Sequence, residues 1–377
     1  ISSQKEHYLT YFLPYYDNRK QDLALLYEND ENNTNWFENK FDYYLLRYGV
    51  IKNEKSFVTE LLNNYLSTNN LVQAKRTFYK DWFLILDKIL KKEIDIGISD
   101  YITLITFNEN YGMDIDNIRL ITNLYKLYIY IFTKKDYGIY SLSKIPTGAV
   151  IGIMNYPDPM HSYYRRFMKD LGYQENIDYT VKLYDTEDDL LNGLNNSECH
   201  FTLLRDTFPS KTIDDFLKHN ASNNIILLPF DIDNEDVFLK KNSIFEIDYI
   251  DLNDLSPAYL PRKFGKYEYT VNRPTIKICA TYKILLAHES LPNRYTYNFV
   301  KFYFKYYKEL NKTLRDKGYT LDGVDVDVKI NLLMYHNGVI DFYYDYGFLT
   351  NTDNENCKYL VGKMPCNETT LKANGFL

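Results

Sequence analysis

Cysteine is scarce, with four residues in a chain of 377, at positions 199, 279, 357 and 366, and no two form a C-x-x-C pair. That excludes a disulfide framework, a zinc ribbon and a thioredoxin-like redox site. Cys357 and Cys366 lie close together in a loop-like tail, either bridged in an oxidising compartment or free, while Cys199 and Cys279 fall in apolar, strand-like runs. Long basic runs are missing too, and the net charge is −7 with a pI near 5.5, so there is no electrostatic footprint for DNA or RNA. No apolar stretch approaches the roughly 18 residues of a membrane span; the longest, residues 127–132, has the length of a strand.

Signatures of chemistry are equally thin. The six histidines, at 7, 161, 200, 219, 288 and 336, include no H-E-x-x-H and no His–carboxylate cluster of metal spacing. The acidic run 231–236 opens like a calcium loop, but its sixth position is Asp236 instead of glycine and its twelfth is Asn242 instead of glutamate. It reads as a solvated turn. Residues 322–328 alternate acid and valine like a half-exposed strand. With no G-x-S-x-G, P-loop or G-x-G-x-x-G, the sequence nominates no enzyme, cofactor or metal.

What is abundant is aromatic: 39 Tyr and 22 Phe against only 15 Gly. An AT-rich genome writes such a composition, and so does an aromatic ligand-binding surface. The stretch 295–307 carries aromatics on most faces of a helix, which serves core packing or a protein interface. Five N-x-S/T sequons, at Asn32, Asn195, Asn220, Asn311 and Asn367, arise readily by chance in an Asn-rich chain. The first residue is Ile1, so a preceding segment is expected, such as a signal peptide, a transit peptide or a disordered end.

The most ordered grammar is at residues 82–100, WFLILDKILKKEIDIGISD. Phe83, Ile85, Leu86, Ile89 and Leu90 give a helix its buried face, and Ile94, Ile96 and Ile98 mark the following strand. Around it, 45–51 and 71–78 read as strands, 56–65 as a helix, and 118–133 as one or two strands after a loop holding Asn108 and Asn110. Beyond residues 139–145 the pattern restarts: strand 149–154, helix 160–171, strand 179–183, helix 186–194, then apolar segments at 199–204, 213–217 and 225–228. A β-rich run over 272–288 crosses back and a helix spans 292–317. Such alternation predicts mostly parallel α/β sheets.

Four stretches resemble the TAXI-type solute receptors associated with TRAP transporters. They are LKKEIDIGI at 90–98, IRLITNLY at 118–125, NRPTI at 272–276 running on to Leu285, Leu286 and Leu291-Pro292, and YHNGVIDFYYDYG at 335–347. The resemblance implies an α/β fold, a two-lobed type II periplasmic-binding-protein-like clamshell with any ligand between the lobes. Lobe one is expected at 41–147 plus 272–348 and lobe two at 148–271, with extensions at 1–40 and 349–377. The sequence departs from the family at both glycine-rich turns that hold anions. The first reads GVIKNEKS at 49–56, and the second reads IMNYPDPMHS at 153–162, where two prolines remove N–H donors and Asp158 adds negative charge.

The remaining candidate ligand-binding residues are Ser99 and Asp100, which end a lobe-one strand, and Arg205, Asp206 and Thr207, which end a lobe-two strand. Ser99 and Asp100 equally fit a helix cap, and Arg205 a surface ion pair. Together these features lead us to expect a non-enzymatic protein with a degenerate cleft, partnered by protein subunits of a larger, membrane-associated complex in a mitochondrion. The alternatives are a working extracytoplasmic receptor for a small organic anion or amino acid, and a component of a large virus particle.

Overall fold

A computed structural model describes residues 45–51, 73–208, 210–219, 225–251, 275–301, 303 and 333–345. The expected helix at 56–65, the strand at 322–328, the Cys357–Cys366 pair, most of the helix beyond residue 301 and both terminal extensions lie outside them.

The chain begins with β1 (Leu45–Ile51) and β2 (Gln73–Tyr79), which pair in parallel. Helix α1 (Trp82–Leu90) starts where the Asp81 carboxylate accepts the Phe83 amide, and it buries Trp82, Ile85, Leu86 and Ile89 along one stripe. The turn after it is held by a Lys88–Glu93 ion pair of 2.6 Å. It leads into β3 (Ile96–Asp100), where all five residues are buried because strands flank it on both sides.

Helix α2 (Tyr101–Tyr111) follows without a break, capped by Asp100 and ended by Gly112 at φ 62°. The sequence reading had a loop around Asn108 and Asn110. The correction has a physical cause: α2 buries Tyr101, Ile102, Thr103, Leu104, Thr106 and Phe107, which form no 3.6-residue stripe, while residues 108–111 are exposed and polar.

The long strand β4 (Ile118–Tyr130) runs on into β5 (Phe132–Lys134). After Ile139, Leu142 and Ile145, buried without forming a strand, come β6 (Ala149–Met154), α3 (Pro159–Asp170), β7 (Tyr179–Tyr184), α4 (Glu187–Asn195), β8 (Phe201–Asp206), α5 (Lys211–His219) and β9 (Ile225–Leu227). Then come α6 (Glu235–Lys241), β10 (Glu246–Asp251) and the 14-residue β11 (Thr275–His288). Residues 293–301 are helical, and α7 (Asn337–Asp345) completes the described chain.

Two half-sheets share one plan. In the first the order is β2-β1-β3-β11-β4, with β11 antiparallel to its neighbours β3 and β4. In the second it is β7-β6-β8-β5-β9, with β5 antiparallel to β8 and β9. These are two α/β lobes, each a parallel sheet with one reversed strand. Strand β4 connects them: after pairing with β11, its residues Tyr128, Ile129 and Tyr130 pair with Asp206, Arg205 and Leu204 of β8. Strand β10 extends the sheet at this crossing by pairing with the first half of β11. Lys126 ties it down through ion pairs to Glu246 at 3.0 Å and Asp248 at 2.8 Å.

Candidate functional site

The carboxyl ends of β3 and β8 meet where the lobes join, the position at which open α/β sheets bind ligands. At its centre is Asp100, with no exposed surface. Its Oδ1 accepts hydrogen bonds from the Thr103 amide at 2.8 Å and the Thr103 hydroxyl at 3.0 Å, which makes it the N-cap of α2. Its Oδ2 is 2.6 Å from Arg205 Nη1 and 3.8 Å from Lys283 Nζ. Burial pushes the Asp100 carboxyl upward, but the charges of Arg205 and Lys283, with hydrogen bonds from Arg205 and the Thr103 amide, hold it below the usual carboxylate range.

The two cations come from different lobes. Lys283 is the register partner of Asp100 across β11 and β3, so backbone pairing alone puts them side by side. Its side chain is 2% exposed, and its ammonium lies 3.2 Å from the centroid of the Trp82 ring, which offers a π-face in place of water. Arg205 reaches in from β8, with its side chain 6% exposed. Its Nη2 is 3.9 Å from Oδ2 of Asp158.

Asp158 stands at the start of α3, after a turn containing a cis Tyr156–Pro157 peptide. Its Oδ1 accepts the Met160 amide at 2.7 Å, and Pro159 follows at the first helical position, where its missing N–H costs nothing. The turn before α3 is thus occupied by the chain's own carboxylate. The third helix at this junction, α5, is capped in the same way: Ser210 Oγ accepts the Ile213 amide at 3.2 Å and donates to Asp206. Asp206 also takes the Thr207 amide at 2.8 Å, and the Thr207 carbonyl accepts from Tyr130 Oη at 2.9 Å.

Three helix N-termini therefore face the junction with side-chain caps drawn from the chain itself. Helix N-termini favour negative charge, and Asp100 and Asp158 already supply it. The cluster sets these two carboxylates beside two cations, Arg205 and Lys283, so its charges balance. Further buried polar atoms in the strands of the first half-sheet make no hydrogen bond among the described residues: Ser99 Oγ, Asn123 Nδ2 and Thr281 Oγ1. Ser99 and Asn123 both register with Ile284 on β11, one from each side, and Thr281 precedes Lys283 by two residues. Asn123 Oδ1 accepts from the buried Tyr101 hydroxyl at 3.1 Å.

Of the residues expected from the sequence, Asp100 and Arg205 meet, while Ser99 precedes Asp100 in β3 with its buried hydroxyl unbonded among the described residues. Asp206 and Thr207 are neighbours of Arg205 in the chain but direct their polar groups into their own turn. Arg205 is corrected in one respect: its ion pair is buried between lobes and not at the surface, because β8 ends against β3. Asp100 does cap a helix and takes part in the charged cluster as well. Lys283 was overlooked, and its signal was available as the single charge in the apolar run ATYKILLAH at 280–288. Among the described residues no three His, Cys, Asp or Glu side chains are grouped as a metal site requires, no helix is long and apolar enough to cross a membrane, and Cys199 and Cys279 are buried free thiols.

No protein-family model matches the sequence, and no curated protein matches it. Among solved structures it is similar to an ABC uptake transporter substrate-binding protein from Streptococcus pneumoniae with bound histidine, at 12% identity and a TM-score of 0.44, covering 77% of this chain and 97% of that one. It is similar as well to the GluR0 ligand-binding core in complex with L-glutamate, at 8% identity and a TM-score of 0.44, covering 73% and 97%. A periplasmic substrate-binding protein of an ABC transporter from Coxiella burnetii follows at 11% identity and a TM-score of 0.36, covering 73% and 99%. The fold class expected from the sequence, a two-lobed α/β clamshell, is the one observed, and it rests on the strand order of the two half-sheets.

Proposed function

We propose that the chain is a non-enzymatic solute-binding protein whose lobes close over a small molecule carrying a cationic group, either an organic cation or a zwitterion such as an amino acid. The observation that carries this reading is Asp100: a fully buried carboxylate at the junction of two lobes, in a half-sheet that also holds three buried polar atoms without hydrogen bonds among the described residues. Buried polar groups without partners are costly, and a bound solute supplies those partners. The carboxylate caps on α2 and α3 favour a cationic group beside them, and Arg205 and Lys283 in the same cluster suit the carboxylate of an amino acid. The four TAXI-like stretches support a place among receptors of that type, and an extracytoplasmic setting goes with it. The mitochondrial and virion settings have no structural observation behind them.

A thermal-shift panel of basic, neutral and acidic amino acids, polyamines and dicarboxylates tests the proposal. A ligand at about 100 times its Kd adds about 2.7 kcal/mol of stability. Basic or neutral amino acids or polyamines are expected to raise the Tm; no shift with any compound, or a shift with dicarboxylates alone, overturns the reading. One observation favours the scaffold reading as second choice: the Asp100–Arg205 pair already neutralises the cleft with the chain's own charges. Under that reading the panel is silent and the protein purifies as part of a larger complex.

A further inference from the structure

The charged cluster has a symmetry that ligand binding alone does not require. Each member of the pair that spans the lobes has a second partner of opposite charge within its own lobe. Asp100, at the end of β3, has Lys283 of β11 at 3.8 Å. Arg205, at the end of β8, has Asp158 at the start of α3 at 3.9 Å. The pair between them is the shortest contact of the three, at 2.6 Å.

We infer that these four residues form an ion-pair exchange switch, in which Arg205 acts as a tethered substitute for the ligand's cationic group and holds the lobes shut when no ligand is bound. The inference rests on the solute-receptor reading and assigns that site its regulation. In the closed arrangement Arg205 joins Asp100. When the lobes part, the 2.6 Å pair is lost while Arg205 tightens onto Asp158 and Asp100 onto Lys283, partners already within 4 Å, so that no charge is left alone. A solute cation that takes over Asp100 competes with Arg205 and releases it to Asp158.

Three physical arguments support the switch. A buried ion pair is a poor source of stability, since its desolvation offsets most of the attraction, and its best-attested use is to specify one arrangement among several. Arginine suits the task better than lysine because its planar fork can face two carboxylates at once and is more weakly hydrated. And the standby partners give the molecule two discrete arrangements of nearly equal charge compensation, which is the bistable element that a conformational change needs.

Small-angle scattering and amide hydrogen exchange on the full chain, without ligand, test the switch. Arg205→Met is expected to increase the radius of gyration and speed exchange at the Thr103 amide, with low-millimolar guanidinium chloride restoring the wild-type values. Asp158→Asn keeps a good helix cap but removes the standby partner, so it is expected to be as compact as wild type and slower to exchange. If R205M does not fold, the charge-neutral double variant D100N/R205M replaces it and is expected to be open and indifferent to guanidinium. An R205M or D100N/R205M protein as compact and as protected as wild type overturns the switch, and so does an opened D158N. These outcomes are independent of the ligand panel. A silent panel with an opened R205M removes the receptor reading and keeps the latch, and a positive panel with unchanged variants does the reverse.

Discussion

His336 offers a prediction whose size follows from its surroundings. The imidazole has no exposed surface; its Nδ1 accepts the Gly338 amide at 3.2 Å and lies 2.8 Å from the Thr296 hydroxyl. A proton added at Nδ1 would oppose the Gly338 N–H. Burial lowers the ring's pKa from 6.5 to about 4, outweighing the nearby backbone at Leu291 and Glu289, which raises it. The folded-state value is the lower one, so below 6.5 the unfolded chain binds the extra proton, and stability falls as the pH drops from 6.5 through 4. The full span corresponds to about 3 kcal/mol. Between about pH 7.5 and about pH 4.5 the linkage relation gives a loss of about 2.5 kcal/mol from this one group. Urea unfolding of wild type and His336→Asn across that range isolates it, because the other titrating groups cancel in the difference. The two stability curves are expected to converge on acidification by about 2.5 kcal/mol; curves that stay parallel within about 0.5 kcal/mol would falsify the burial argument.

Three further substitutions test the packing around the site. Phe167→Ala removes a buried ring that meets Phe238 at 5.4 Å and Phe245 at 5.7 Å, both edge-on, and is expected to cost about 3–5 kcal/mol in denaturant unfolding; a cost below about 1.5 kcal/mol would show that lobe two repacks. Gly338→Ala places a Cβ 2.0 Å from the Asn293 carbonyl oxygen and 2.3 Å from Thr296 Oγ1. Backbone cannot yield as a side chain does, so the Tm is expected to fall with a loss of about 3 kcal/mol or more. Gly97→Ala meets Ile85 Cγ2 at 2.5 Å and Ile89 Cδ1 at 2.9 Å. It is expected to cost about 1–3 kcal/mol, and a double-mutant cycle with Ile85→Ala is expected to show a favourable coupling.

Much of the fold was legible because strand and helix periods alternate cleanly. Residues 45–51, 82–90, 149–154 and 179–184 carry their patterns within a few residues of chain, and the structure places elements there. Helix α2 was not legible because it is buried on several faces at one end and exposed and polar at the other. Strand β10 was missed although EIDYID alternates acids with apolar residues as a half-exposed strand does; it follows α6 closely, and its pairing with β11 is what makes it a strand. The candidate site divides in the same way. Asp100 shows itself locally, as an acid at a strand-to-helix junction. Its partners do not, since Arg205 and Lys283 approach it only through the order of strands in two sheets. A local pattern reports which face a residue takes; it does not report which distant residue stands opposite.

Strand β11 carries a consequence for how the chain is assembled. Every strand of the second half-sheet, β5 to β9, lies before residue 228. The first half-sheet begins earlier in the chain, yet β3 and β4 do not pair with each other; the strand between them is β11, at residues 275–288. During synthesis, which proceeds from the N-terminus and favours domain-wise folding, the lobe begun second has all its strands first. The lobe begun first waits with the inner edges of β3 and β4 unpaired until β11 emerges, a long-range closure of the kind that slows folding. Unpaired edges invite intermolecular pairing, so the hazard of misassembly falls in the interval between completion of β4 and arrival of β11.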